Sequence, residues 1–423
     1  MGPKYQALKG MEDLLPGEIE KWQWLEARAR IFFEANGFKE IRTPLLEYTE
    51  LFTRTVGEAS DIVHKEMFSF EDRGGRNISL RPEMTASVAR AVIEHGLLKT
   101  NKSLRLYYLG PMFRAERPQA GRKRQFQQIG IEIINEAEIT SDSEAISLLC
   151  SFLNYAGLTN FKLWLNDLGK REDIQRTFRQ LLRDYFTKEK AKLCTDCRFR
   201  LEKNVLRIFD CKVESCQPII QRAPEVGPLS TDFVSLLDDL SKKLKVIPER
   251  KPRLVRGLDY YNGAVFEVTA PGLGAQDALA GGGRYDRLYS DLGSSPTPCT
   301  GFSIGMERLL VALEKAEPPL SDKIKSRKVY LALLERDDAA KGQLSEYALL
   351  LRERNIGVET FSGEFSLSNH LKKANQLGVR FVLILGSSEL AKGCWTVKDM
   401  EKKTQSEVET EKLIPYLEEA FQS

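Results

Sequence analysis

The stretch FRAERPQAGRKRQFQQIGIEII, Phe113–Ile134, decides how the chain is read. Its second half, QFQQIGIEII, has the two-residue period of a strand, so Ile129, Ile131 and Ile133 share one face and Gln128, Gly130 and Glu132 the other. The isoleucine face is core. The opposite face sets an amide and a carboxylate about 13 Å apart, at ~3.3 Å per residue. Between them is a gap with no side chain, room for a small polar ligand. The run from Leu104 up to the loop reads as the preceding strand, and RPQAGRKR, with Pro118 and Gly121, as a long hairpin loop. On that preceding strand, MFRAERP turns Arg114 and Glu116 to one side, and the planar fork of an arginine suits phosphate or carboxylate. Arg117, Arg122, Lys123 and Arg124 put four cations within eight residues, either a solvated loop or a grip for a nucleic-acid end.

Composition bounds the rest. The chain has 423 residues, 42% of them apolar, enough for two or three domains with ordinary cores. Its longest apolar runs, such as VYLALL and FVLILG, fall far short of the ~20 residues of a membrane span. The N-terminal stretch has no apolar signal core, so a cytoplasmic location without membrane is expected. Sixty-three basic against sixty acidic residues leave a net charge of +3, so any polyanion contact must be a local patch. Seven cysteines, an odd number in a long chain, fit reduced thiols. With only His64, His95 and His370, a Ser-His-Asp hydrolase or a histidine-ligated metal centre is disfavoured.

Along the chain, Glu18–Ala35 reads as a helix with Trp22, Leu25, Ala29 and Phe32 inward, ending at Gly37. FKEIRTPLLEY reads as a strand whose Pro44 belongs at an edge, bend or interface. Residues from about 168 to 248 turn helical, charged and cysteine-bearing, like an insertion. Within them Cys194, Cys197, Cys211 and Cys216 form C-x2-C-x13-C-x4-C, close to a zinc spacing. The second pair is looser than usual and RIFDC reads as a core strand, so reduced structural thiols are preferred and no metal centre is assigned. ALAGGGRYDRL places Gly281–Gly283 before Arg284, as where something approaches a strand backbone, or a plain turn. In GFSIGMERLL, Arg308 sits in a helix's first turn, where a cation needs an anion nearby: a bound phosphate or a carboxylate elsewhere in the fold. LVRGLDYYNGAVFEV buries Arg256 in a strand-like run. Strand parity sends Asp259 and Glu267 to the opposite face, which makes an external anion the better partner. EPPLSDKIKSRK, Glu317–Lys328, reads as a linker, followed by alternating strands and helices of a small α/β domain.

These stretches, in order, resemble the class II aminoacyl-tRNA synthetases and among them the histidyl-tRNA synthetase family. GFKEIRTPLLE is similar to motif 1, FRAERPQAGRKRQFQQIGIEII to motif 2 and GFSIGMERLL to motif 3. LVRGLDYYNGAVFEV and ALAGGGRYDRL are similar to the histidine-specific motifs. The resemblance implies an α+β fold: a catalytic domain over 1–325 with a six-stranded antiparallel sheet and a helical insertion, then an α/β anticodon-binding domain over 326–423. It implies a homodimer built partly through motif 1, ATP with Mg2+, L-histidine, and histidine tRNA. Arg114 and Arg308 would bind ATP phosphates. Glu83 and Thr85 of LRPEMTASVAR, with Met84 beside them, would hold the amino group of histidine. Gln128 and Glu132 would line the pocket, Glu132 accepting an imidazole N–H under Tyr260 and Tyr261. Arg256 would face the carboxylate and α-phosphate, and Arg117, Gln119 and Arg122 would meet the tRNA acceptor end. Met84 stands where glycine is frequent in the family, and Gln127 where histidine is. The rival readings are a non-catalytic regulatory subunit of ATP phosphoribosyltransferase, which lacks the last domain, and a related enzyme with a different substrate.

Overall fold

The hairpin Leu104–Ile134 forms the middle of the largest sheet. In chain order the strands of the first part are β1 (Lys39–Glu40), β2 (Leu46–Tyr48), β3 (Phe68–Glu71), β4 (Asn77–Leu80), β5 (Leu104–Phe113) and β6 (Gln125–Ile134). They continue with β7 (Lys162–Asp167), β8 (Pro248–Arg250), β9 (Ala264–Thr269), β10 (Ala278–Arg284) and β11 (Cys299–Gly305). The computed structural model describes all residues except 1–4, 58–59, 119–120, 138, 170–171, 226–229, 275–276, 324–326, 335–337, 361–365 and 423. It divides into two compact units, Met1–Lys323 and Ile324–Ser423.

The sheet has eight strands in the order β1-β5-β6-β11-β10-β9-β7-β8. The inner six, β5 through β7 in that order, are antiparallel. The short edge strands β1 and β8 add in parallel. Each edge strand is separated from its partner by a long crossover, which is what parallel pairing requires. Ile129, Ile131 and Ile133 are buried on the face expected of them, with Phe302 and Ile304 of β11 beside them.

Local chemistry explains where the elements break. Helix Ile19–Ala35 buries Trp22, Leu25, Ala29 and Phe33, not Phe32, because the four-residue step from Ala29 keeps to the helical stripe. Phe32 packs beside it on Phe152 and Tyr155. FKEIRTPLLEY is not one strand. It splits around Pro44 into β1, on the large sheet, and β2, which joins β3 and β4 in a small second sheet. Arg81 pins the bend, donating from Nη1 to the Thr43 carbonyl at 2.8 Å and from Nε to that of Pro111 at 2.9 Å.

Between β7 and β8 lie helices Glu172–Lys188, Thr195–Lys203 and Thr231–Lys243. RIFDC is not a strand there. Asn204 accepts the Leu206 N–H at 3.2 Å, and this cap starts a tight 3₁₀ turn over Val205–Asp210. The linker reading of Glu317–Lys328 also shortens, because Leu320–Lys323 is helical and Leu320 is buried against helix Met306–Glu314.

The second unit contains β12 (Lys328–Leu333), β13 (Gly357–Thr360), β14 (Phe381–Leu385), β15 (Cys394–Asp399) and β16 (Thr404–Glu409). Their order is β13-β12-β14-β15-β16, the first three parallel and the last two a hairpin. Val329, Leu331, Leu383, Trp395 and Leu417 build its core on one side of the sheet, and Tyr330, Val382 and Ala374 on the other. Among the described residues no helix is long and apolar enough to cross a membrane.

Each unit has its own core. A chain ending at Lys323 should therefore be soluble and melt cooperatively within a few degrees of the matching transition of the full chain, as differential scanning calorimetry would read. A truncated chain with no heat-absorption peak would show that the second unit completes the first.

Candidate active site

The polar face of the large sheet has a floor of glycines. Across the hairpin Gly110, Tyr108 and Leu106 stand opposite Gln128, Gly130 and Glu132, and on the other side of β6 stand Gly305, Ser303 and Gly301. Directly paired residues share a face. A methyl group on Gly130 would lie 2.3 Å from the Tyr108 ring, so the gap read beside that glycine is filled by a phenol and is not free for a ligand. A methyl on Gly301 would lie 2.2 Å from Glu132 Oε2, and one on Gly281 2.3 Å from the Arg256 guanidinium carbon. What approaches the glycine run of β10 on this face is thus Arg256 at Gly281 and the Tyr261 ring at Gly283. Arg284, at the end of that run, is wholly buried, bonded to Asp142 at 2.8 Å, Asp286 at 3.0 Å and Ser141 at 2.8 Å. It is a structural arginine.

Arg256 does not lie in a strand. Leu254–Asn262 is irregular and β9 begins only at Ala264, so strand parity does not apply. The loop brings Arg256 Nη1 to Glu267 Oε2 at 2.8 Å. The exclusion of Glu267 as a partner is corrected: the carboxylate faces the guanidinium over Gly281, its neighbour in register. Arg256 Nε is buried and has no hydrogen-bond partner among the described residues. The Arg256 backbone is held from the insertion, where Arg207 donates to the carbonyls of Arg256 and Gly257, both at 2.8 Å.

Two adjoining parts make up the site. One is a buried polar cluster. Glu83 accepts the backbone N–H groups of Thr85 at 2.7 Å and Ala86 at 2.9 Å, at the start of helix Thr85–Glu94, and the Tyr260 hydroxyl at 3.3 Å. Glu132 accepts the Thr85 hydroxyl at 2.8 Å and the Tyr285 hydroxyl on its other oxygen. Burial pushes the Glu132 carboxyl up to about 8 against the pull of those two donors, and Glu83 nearby adds to the rise. Burial raises Glu83 too. The rings of Tyr260 and Tyr261 stand 4.8 Å apart. Met84 is buried in the apolar core beside them, its sulfur accepting the Thr43 hydroxyl at 3.2 Å.

The other part is an open cleft of about 650 Å³ lined by Arg114, Gln128, Arg256, Arg308 and Arg122. Arg114 lies just past β5, with Nε donating to the Pro82 carbonyl at 2.9 Å and the guanidinium over the Phe126 ring. Arg308 is the third residue of helix Met306–Glu314, where burial, then Arg122, lowers its pKa. Arg122 pairs with Glu116 at 2.7 Å, and Arg117 is exposed outside the cleft. Gln119 lies outside the described residues.

Sequence reasoning missed Tyr108, Tyr285, Arg207 and Glu307, and rejected Glu267. Burial pushes Glu307 up to about 7, and it accepts the Gln127 N–H at 3.0 Å. A hairpin register counted back from Gly130 would have found Tyr108.

Known proteins match along the same span. The histidyl-tRNA synthetase family model matches residues 10–309, and the anticodon binding domain model matches 328–420. The chain belongs to the histidyl-tRNA synthetase family. It is 42% identical over 415 residues to a histidine–tRNA ligase of Halothermothrix orenii, covering 97% of this chain and 98% of the relative. The apo histidyl-tRNA synthetase of S. aureus has a TM-score of 0.76 at 29% identity, covering 98% and 99% of the two chains. A Bacillus halodurans protein titled both ATP phosphoribosyltransferase regulatory subunit and histidyl-tRNA synthetase shares the fold at 24% identity and a TM-score of 0.64, covering 92% of this chain and 100% of that one. The regulatory reading is the less supported, since the curated relatives are ligases over nearly the full length.

The Glu132 shift carries a stability consequence. An unfolded carboxyl titrates near 4.5, while the folded one holds its proton to about 8. Between those values the folded chain binds a proton that the unfolded chain has lost, so stability falls as pH rises. Glu132→Gln should flatten part of the decline in melting temperature between about pH 5 and pH 8. An unchanged slope would mean that Glu132 ionises normally.

Proposed function

We propose that this member of the histidyl-tRNA synthetase family activates L-histidine with ATP, giving histidyl-adenylate and pyrophosphate, and transfers the histidyl group to the 3′ end of histidine tRNA. The observation that carries this reading is the set of three arginines, Arg114, Arg256 and Arg308, lining one cleft beside a neutral, buried glutamate. In the first step a histidine carboxylate oxygen attacks the α-phosphorus of ATP, and negative charge builds on the phosphoryl oxygens. Arg256 is set to meet that charge: its backbone is clamped by Arg207, its guanidinium is oriented by Glu267, and Nε is left over. A preorganised cation of this kind costs no reorganisation when the bond forms. Arg114 and Arg308 hold the phosphates.

Histidine is selected by the polar cluster. Glu132, protonated near neutral pH, offers an oxygen to an imidazole N–H or its own O–H to the bare ring nitrogen. Glu83 and Thr85 take the ammonium group, and Tyr260 and Tyr261 flank the ring. Gln128 continues the same strand face into the cleft. Mg2+ enters with ATP and neutralises phosphate charge. Glu116, Glu267 and Asp277 line the cleft and would offer oxygen donors to that ion.

The tRNA acceptor end meets Arg117, Gln119 and Arg122, and the second unit takes the anticodon, as its family match supports. The enzyme acts as a homodimer in the cytoplasm. Leu46, Tyr48 and Phe70 of the small sheet, with Leu45, are exposed apolar residues, suited to a partner copy. None of the seven cysteines is in a disulfide, as suits a reducing compartment.

ATP–pyrophosphate exchange with each amino acid tests the substrate, and histidine alone should support it. Arg256→Ala should slow single-turnover adenylate formation by ~10²-fold or more while ATP and histidine binding change far less. Gly281→Ala should copy that loss, because its methyl group displaces only the flexible end of Arg256. Near-normal turnover in both would leave Arg256 a structural residue. Arg117→Ala should hold exchange within about twofold yet slow transfer to tRNA, with a weaker salt dependence. Equal losses in both steps would remove the loop from tRNA contact.

A further inference from the structure

The four cysteines of the insertion come from three short elements and converge on one point. Cys194 caps helix Thr195–Lys203, and Cys197 lies in its first turn. Cys211 follows the turn Val205–Asp210, and Cys216 ends the turn Glu214–Cys216. Their sulfurs all lie within 4.8 Å of one another. Two thiolates on one ion at ~2.3 Å sit about 3.8 Å apart in a regular tetrahedron and at most about 4.6 Å apart. Cys194 and Cys211 are 3.8 Å apart.

Small apolar packing alone would bury four thiols without aiming them at a common centre. Here three sulfurs also accept backbone N–H groups: Cys194 from Cys197 at 3.5 Å, Cys216 from Cys194 at 3.3 Å and Cys211 from Val213 at 3.4 Å. Donors of that kind stabilise thiolates and fix their direction, as around a metal. The looser second spacing is no obstacle, because the turn Glu214–Cys216 folds Cys216 back beside Cys211.

We propose that Cys194, Cys197, Cys211 and Cys216 bind one structural Zn2+ ion. Four soft sulfurs converging within 4.8 Å, close to the spacing a tetrahedral site needs, suit zinc, and four protein ligands leave no open position for chemistry. The ion replaces the thiol protons and ties together residues 194–216. That segment carries Arg207, the side chain that holds the Arg256 and Gly257 backbone. The metal therefore stiffens the support under Arg256, and Cys194 and Cys211 themselves line the cleft.

The test reads metal, so it does not depend on the proposed activity. Full-length protein purified under reducing conditions, without a metal-affinity step, should contain about one zinc per chain by mass spectrometry of the elements. A thiol-binding mercurial should release it. The Cys197→Ser, Cys216→Ser double variant should hold less than about a tenth of an equivalent, and Cys394→Ser should keep the full amount. If the double variant is insoluble, the unaltered chain, stripped of metal and reduced again, should take up about one equivalent of zinc. Failure of the unaltered chain to hold zinc both as purified and after that addition would overturn the proposal. So would a full equivalent of iron with visible absorption, or two disulfides in the native protein.

Discussion

A sheet face with glycines at Gly130, Gly281 and Gly301 sets the dimensions of what rests on it. Gly130 leaves room for the Tyr108 ring, Gly301 for the Glu132 carboxylate and Gly281 for the Arg256 guanidinium, each within 2.3 Å of where a methyl group would begin. Glycine in a strand weakens the sheet, since it packs nothing and loses more backbone freedom on folding. The opposite face compensates. Ile129, Ile131, Ile133, Phe266 and Phe302 are buried there, each contributing about 1.5–3 kcal/mol of burial. One face holds the fold together and the other is left open for chemistry.

Burial divides the charged groups into two kinds. Arg284 is wholly buried, bonded to two carboxylates and a hydroxyl, so it has little left for a ligand. Arg256 has one carboxylate partner and reaches the cleft, where a polyanion would find it. The acids behave differently. Glu132 and Glu307 are pushed up to about 8 and about 7, so burial favours the protonated form of each, Glu132 more than Glu307, where an unpaired buried anion would be costly. Arg114, Arg122, Arg256 and Arg308 gathered in one cleft favour an incoming phosphate, although Glu116, Glu267 and Asp277 line it too.

The insertion reaches the site through Arg207 and Asn204. Arg207 spans from the turn that precedes Cys211 to the loop that carries Arg256, and Asp210 pairs with it at 2.6 Å. Rigidity near the cysteines is thereby passed to a loop with no strand pairing of its own.

The sequence by itself determined what depends on neighbours along the chain. Alternation from Gln125 to Ile134 separated the isoleucine face from Gln128, Gly130 and Glu132, Pro118 and Gly121 marked the hairpin, and the first turn of a helix held Arg308. The family motifs were legible for the same reason, being continuous stretches. Only the tertiary structure decided which distant groups meet. Tyr108 fills the space beside Gly130 because register, not composition, sets them opposite. Arg256 meets Glu267 because the chain between them turns and leaves strand geometry before returning as β9. Four cysteines spread over 23 residues face one another because the start of one helix and two short turns aim them inward. Periodicity is a property of the local backbone, whereas contact between remote side chains depends on the path of the chain between them, and no local pattern encodes that path.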